Sequence, residues 1–317
     1  MDCAFVAGAG PVRRITPQQA TDFTGPGFVW VHLHGKDDAD LRYLRAQPDI
    51  PDVAAAALVA TETRPRCDRI EEGALINLRG PGEEETRDSD RLVSIRMWVR
   101  DGRATSLSRR RMRATADVIA RVEAGLVSDP GDLVAAYAKV ISAQLDPQVA
   151  ALGDALDEIE SALEVSNLHP LRRQITRIRS EAIAFRRFVA PNRDALLTLG
   201  SLDFGWLADE DRLHIGEAAD RFARMAEELE AVRERAALLH EQITDLRAEQ
   251  VDERSLYIAV IAFVFLPLTF ITGLLGMNVA GIPFADRPWA FWGVVAFCVA
   301  LGLAVLAWFL WRHWLKR

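Results

Sequence analysis

Two groups of side chains in this 317-residue chain have the types and spacing to handle metal cations. Asp252 and Glu253 are adjacent carboxylates that stand just before a long uncharged run. With several copies around an axis, such carboxylates form a ring that concentrates cations at a mouth. His32 and His34 lie two residues apart in Phe28-Val29-Trp30-Val31-His32-Leu33-His34, on one face of a predicted strand. That pair either ligates a regulatory zinc or hydrogen-bonds within the sheet. His169, His214 and His240 show no ligand spacing. Cys3, Cys67 and Cys298 form no CxxC pair, which excludes a thiolate zinc finger or a disulfide framework and fits a reducing compartment. No nucleophile–base constellation and no Walker loop is present, so neither an enzyme nor an ATP-driven pump is expected. Arg109, Arg110, Arg111 and Arg113 form a basic run in a chain of net charge −7, and read as a solvated face or subunit contact, with no nucleic-acid partner expected.

The elements that must position these groups sit in the last 62 residues. From Leu256 to Leu275 there are 20 residues without a formal charge, and from Pro288 to Trp311 there are 24 more. A helix needs roughly 20 apolar residues to cross about 30 Å of hydrocarbon, so each run is long enough. The tail Arg312, His313, Trp314, Leu315, Lys316, Arg317 is basic, while the intervening loop carries Asp286, a third cation-attracting carboxylate, and Arg287. Positive-inside bias puts both termini in the cytoplasm of a multi-pass protein. The first thirty residues lack the order of a signal peptide.

Upstream, Ile215, Ala218, Phe222, Met225, Leu229, Val232, Ala236, Leu239, Ile243 and Leu246 recur at alternating three- and four-residue steps. This 3.5-residue period predicts a helix packed nearly parallel to others, either between copies or inside one subunit. Nothing breaks the pattern at the membrane surface, so one helix is expected from about Asp209 to about Gly276, on the order of 100 Å long. Between Asp209 and Arg254 there are 14 acidic and 7 basic residues, most of them on a solvated face. One hairpin per chain is too little protein to enclose an aqueous path, so transport requires a symmetric ring with the first span inward. That span carries Ser255, Thr269, Thr272, Ala259, Ala262, Gly273 and Pro267, whereas the second is bulky and lacks hydroxyls and amides.

The first span ends in Gly276-Met277-Asn278, preceded by FLPLTFITGLL and followed by VAGIPF. This resembles the CorA superfamily of divalent-cation transporters, whose inner helix closes on Gly-Met-Asn. Leu275 before the triplet, the loop Val279-Ala280-Gly281-Ile282-Pro283, and the segments Ala190-Pro191-Asn192-Arg193-Asp194-Ala195-Leu196 and Arg233-Glu234-Arg235-Ala236-Ala237 are similar to its ZntB-like zinc-transporter branch. The resemblance implies a homopentameric funnel in the bacterial inner membrane, with divalent cations, lipid and its own copies as partners. It implies no cofactor; Zn²⁺, or alternatively Mg²⁺ or Co²⁺, is the transported species. The positions matching the family's pore face are Asp252, Ser255, Ile258, Ala262, Leu266, Thr269, Gly273 and Asn278, and their steps fit one helical face. Asp252 departs from the family, where an uncharged Asn is common, and would hold cations more tightly.

Asn278 amide oxygens around an axis accept hydrogen bonds from the water shell of a divalent ion, which sheds water reluctantly. Thr269 repeats that contact two turns lower, Gly273 leaves room, and Leu266 with Ile258 forms apolar constrictions. Outside the family context Asn278 reads first as a helix C-cap in the αL conformation; with it, the filter reading is favoured. No His, Cys or carboxylate lies between Leu256 and Asn278, so direct zinc ligation is not expected in the pore. The expected organisation is an α/β cytosolic domain over 1–145, a helical stalk over 146–254, a pore-lining span over 255–278, an external loop over 279–287, a second span over 288–311 and a basic tail over 312–317. Strands are expected at Ala4–Ala7, Gly27–Leu33, Ala74–Arg79, Leu92–Arg100 and Ala104–Ser108, with a turn at Asp101-Gly102. Helices are expected at Ala39–Ala46, Val53–Thr61, Thr115–Gly125 and Asp132–Leu145, and Gly80-Pro81-Gly82 reads as an exposed loop. From Pro147 onward the pattern is helical, with Pro170 and Pro191 as dividers.

Overall fold

A computed structural model of the chain describes residues 3–35, 38–61, 64–83, 92–162, 168–277, 282, 284 and 287–314. It divides into two compact units, Met1–His240 and Glu241–Arg317. The first unit holds a sheet built from β1 (Cys3–Ala7), β2 (Arg13–Ile15), β3 (Phe28–Leu33), β4 (Arg66–Ile70), β5 (Gly73–Pro81), β6 (Leu92–Arg100) and β7 (Arg103–Leu107), in the order β2-β1-β3-β7-β6-β5-β4. Every pairing is antiparallel except β3 with β7, where Val29 pairs with Arg103 and Leu33 with Leu107. The run FVWVHL is buried at all six positions of β3, as a strand covered on both faces must be. Alternate residues serve the two faces. Val29, Val31, Leu33, Trp98 and Leu107 form one core with Leu44 and Leu58 of the short helices α2 (Asp38–Ala46) and α3 (Asp52–Leu58). A further short helix, α1 (Pro17–Thr21), adds Ala20 to that core.

On the other face Trp30 packs edge-on against Tyr137 of α5 (Pro130–Ala162), with ring centroids 6.2 Å apart. Gly80 lies so close beneath that helix that a Cβ there would sit 2.9 Å from Ile141 Cγ2. The Gly80-Pro81 pair is therefore the buried end of β5 and not an exposed loop. Helix α4 (Arg113–Glu123) completes the layer.

Two long helices follow, α6 (Leu168–Ser201) and α7 (Asp209–Leu275). Pro191 does not divide a helix as expected, and the helix expected to end at Leu145 continues to Ala162; α6 and α5 run through Pro191 and Pro147. Packing explains the tolerance. Next to Pro191, the fully buried Asn192 accepts from the Arg79 amide at 3.0 Å and donates to the Arg79 carbonyl at 2.8 Å, fixing α6 to β5. Arg235 of α7 reaches Asp157 and Glu160 of α5, and Arg186 of α6 reaches Glu230 of α7 at 2.9 Å.

The periodic seam on α7 is an internal one. Ile215 through Ile243 are all at most 3% exposed within this single chain, whereas Leu246 is 38% exposed. Nine of the ten positions are thus covered within the chain itself, not by contacts between copies. The second unit consists of the rest of α7 and α8 (Pro288–Trp314), both long and apolar enough to cross a membrane.

Candidate functional site

In the second unit, partial cover falls on one stripe of each helix. On α7 the half-buried residues are Val260, Val264, Pro267, Leu268, Ile271 and Leu275. On α8 they are Ala290, Val294, Cys298, Leu301, Gly302, Val305 and Phe309. Both sets step by about one turn, so these are the surfaces the two helices of the hairpin share. Ser255, Ile258, Ala262, Leu266, Thr269 and Gly273 are all exposed, Leu266 to 74%. At about 100° per residue, the centre of this second stripe lies on the order of 170° from the covered one. The candidate pore-facing residues therefore share a face, and it is the face turned away from α8.

The polar geometry of that face is defined. Thr269 Oγ1 donates to the Phe265 carbonyl at 2.8 Å, and Thr272 Oγ1 donates to the Leu268 carbonyl at 2.9 Å. Each hydroxyl spends its proton on the backbone and presents oxygen lone pairs outward, which suits donors such as the water shell of a cation. A Cβ at Gly273 would meet no atom within 4 Å, so packing inside the chain does not demand glycine there. Gly276 closes the helix, its amide donating to the Thr272 carbonyl at 2.9 Å, and Met277 is 47% exposed. Asn278 and Asp286 lie outside the described residues.

The two carboxylates at the start of the apolar run separate. Both are exposed, but Glu253 falls about 100° further round than Asp252 and so on the side of the covered stripe. Glu241, Asp245 and Glu249, which composition alone assigned to a generic solvated face, are exposed at near-turn steps leading to Asp252. They form one acidic line along α7 with Asp252.

His32 and His34 do share a strand face, with ring centroids 5.6 Å apart. His32 is 1% exposed, its Nδ1 is 2.8 Å from Ser106 Oγ and its Nε2 is 3.4 Å from Ser108 Oγ. Burial, then the neighbouring His34, pushes its pKa down to about 3, so the ring is neutral with both nitrogens engaged by hydroxyls. His32 is thus hydrogen-bonded within the sheet.

A third group was invisible in the sequence. Asp129 and Asp132 at the start of α5 and Asp211 in the first turn of α7 bring carboxylate oxygens within 4.8 Å of one another, a spacing a divalent ion or a shared proton can fill. Each also caps a helix start: Asp129 accepts from the Asp132 amide at 2.8 Å, Asp132 from Ser128 at 2.9 Å, and Asp211 from Ala208 at 2.9 Å. Burial first, then Asp129, raises Asp211 to about 6, and burial raises Asp129 as well.

With this geometry in hand, known proteins give a consistent picture. The family model described as CorA-like Mg²⁺ transporter protein matches residues 25–317. The zinc transport protein ZntB of Pectobacterium atrosepticum is 31% identical over 313 residues, covering 98% of this chain and 92% of that protein. The divalent cation transporter CmaX of Pseudomonas aeruginosa is 30% identical over 311 residues, covering 96% and 93%. The solved structure of full-length CmaX superposes with a TM-score of 0.79 at 29% identity, over 98% of this chain and 96% of that one. A sheet domain leading through one 67-residue helix to a terminal apolar hairpin is the shared architecture. The chain belongs to the CorA-like family of metal-ion transporters, and is not an enzyme.

Proposed function

We propose that this protein carries divalent cations, Zn²⁺ foremost, across the bacterial plasma membrane through a ring of five copies, both termini in the cytoplasm. The observation that supports it best is the stripe Ser255, Ile258, Ala262, Leu266, Thr269 and Gly273, left bare by its own chain and nearly opposite the surface shared with α8. With α8 outward toward lipid, that stripe is what several copies present to a common axis. Asp252 gathers cations at the inner mouth; Leu266 and Ile258 form apolar constrictions; Thr269 oxygens and, at the outer end, Asn278 amides hold the water shell of the ion. The ion passes hydrated, since the lining offers no zinc ligand. The choice of Zn²⁺ rests on the kinship with ZntB.

A second reading, a Mg²⁺ or Co²⁺ channel of the same build, draws on that same lack of His, Cys and carboxylate from Leu256 to Asn278. Uptake of Zn²⁺ and Mg²⁺ into proteoliposomes, with and without a pH gradient, separates the two: Zn²⁺ flux is expected, and flux of Mg²⁺ alone refutes the choice. Asn278→Ala is expected to lower uptake at least tenfold. Unchanged uptake would instead fit a membrane-anchored scaffold that conducts nothing.

A further inference from the structure

Two exposed stripes in the first unit repeat at the same period with opposite charge. On α6, Arg172, Arg179, Arg186 and Arg193 recur at every seventh position, and Ile183, Ala190 and Leu197 each stand four positions after an arginine. On α7, Asp220, Glu227 and Glu234 recur at every seventh position, and Arg224, Ala231 and Leu238 each stand four positions after an acid. Alternating steps of three and four keep each set on one helical face. Neither face is covered within the single chain: the α7 positions are all exposed, and on α6 only Ala190 and Arg193 are half-buried. Ile183, Leu197 and Leu238 are 49%, 52% and 60% exposed, large apolar side chains that gain from cover.

The chain's own packing sets the level at which the two helices meet. Arg212, near the start of α7, donates to the Gly200 and Leu202 carbonyls at 2.7 and 2.8 Å, and Arg186 reaches Glu230 at 2.9 Å, so α6 and α7 run antiparallel. In a ring every copy sits at the same height along the axis, so a neighbour's α7 meets α6 close to that same level. There the two repeats match. Arg193 falls opposite Asp220, Arg186 opposite Glu227 and Arg179 opposite Glu234, with Ile183 against Ala231 and Ala190 against Arg224 between them. Arg186 and Arg193 already touch Glu230 and Asp194, yet both side chains stay open to solvent, and the five N–H donors of a guanidinium serve more than one carboxylate.

We propose that α6 of one copy docks on α7 of the next, arginine stripe against acidic stripe, so that the subunit contact is heterologous and closes on itself as a ring. A second copy is the occupant because the chain carries both complements at one spacing and at one level. An anionic lipid surface would suit α6 but repel α7, and a water-filled space would leave Ile183 and Leu238 uncovered. The contact presupposes the ring of five put forward above and names the surfaces that build it.

Cysteine cross-linking of the full chain in membranes, on a Cys298→Ser background, tests it. Ile183→Cys combined with Ala231→Cys, once oxidised, is expected to give a ladder of linked copies reaching five on non-reducing gels, and neither single variant should give one. Arg179→Glu should cut the yield of that ladder at least threefold, and Glu234→Arg added to it should restore the yield. Unfolding midpoints check that each variant remains folded, and Ala190→Cys with Arg224→Cys serves if the first pair does not. Native mass measurement of the purified chain separates the two ways of failing. Five-copy particles without the ladder overturn this contact alone, whereas single copies in detergent and lipid alike overturn the ring and the contact together. A ladder from Ile183→Cys by itself sets α6 against α6 and also overturns the proposal, as does a yield that ignores both charge reversals.

Discussion

Asp211 offers the sharpest test of the electrostatics in the first unit. It is 2% exposed, caps the start of α7, and shares its surroundings with Asp129 and Asp132. Its pKa rises from an ordinary 3.8 to about 6. A group whose pKa is raised on folding stabilises the fold fully below its unfolded value and loses that contribution as pH rises through its folded value. Between about pH 4 and 6 the native state therefore takes up a proton that the unfolded chain does not hold, and above that window the carboxylate is forced to ionise beside two others. A shift of about two units corresponds to a ceiling of about 3 kcal/mol. Asp211→Asn removes this cost at neutral pH yet keeps an oxygen to accept from the Ala208 amide. The variant should unfold on the order of 5 °C higher than the parent at pH 8, from roughly 2–4 °C per kcal/mol. The gain should shrink from pH 6 downward and vanish only below about pH 3.8, where Asp211 is protonated in the folded and the unfolded chain alike. Thermal unfolding of the full chain in detergent with EDTA, scanned across that range, is the assay. A shift of equal size at pH 4.5 and pH 8, or a loss of stability at pH 8, refutes the reasoning.

Three other perturbations address the remaining parts of the argument. Thr269→Val should cut metal uptake several-fold while Thr269→Ser preserves it, because only the oxygen that faces away from Phe265 is asked to act; equal losses in both, measured in proteoliposomes, would remove the hydroxyl from the path. Asp252→Asn should raise the half-saturating cation concentration several-fold at low ionic strength and much less in high salt; a change that ignores salt would place the effect elsewhere. Asn192→Leu removes two hydrogen bonds to a buried strand and leaves the Arg79 groups unsatisfied. It should cost about 2–4 kcal/mol, and an unfolding midpoint within 1 °C of the parent would contradict that role.

How much of this was readable from the residues depends on where the signal lay. Helix α7 is legible almost to its ends, Asp209–Leu275 against an expected 209–276, because acidic residues open it and no proline or glycine interrupts Glu217 to Leu266. Strands β3, β5, β6 and β7 are legible as apolar runs with turn residues between them; Gly102, with φ of +64°, marks the hairpin. β2, β4 and α1 were not, being three to five residues long and mostly polar, with RRI and RCDRI defined by their neighbours and not by their own pattern. Prolines misled because a local rule was overridden by tertiary bonds such as those of Asn192. The Asp129, Asp132 and Asp211 trio joins residues about eighty positions apart, which no local spacing announces.

The seam on α7 carries the last step. Periodicity alone could not say whether Ile215 to Leu246 met other copies or the chain's own helices. Burial divides the question: through Ile243 the chain supplies its own cover, and beyond it Val251, Ile258, Ile261, Phe263, Leu266 and Phe270 are each more than half exposed. Exposed apolar area on that scale is not stable in water. Lipid can cover the bulky part, yet it is a poor environment for the outward oxygens of Thr269 and Thr272, and the open space at Gly273 serves no packing purpose against α8. One helix thus has two unmet demands, apolar on one flank and wettable on another. A bilayer covers the first; in the ring proposed above, the enclosed water would meet the second.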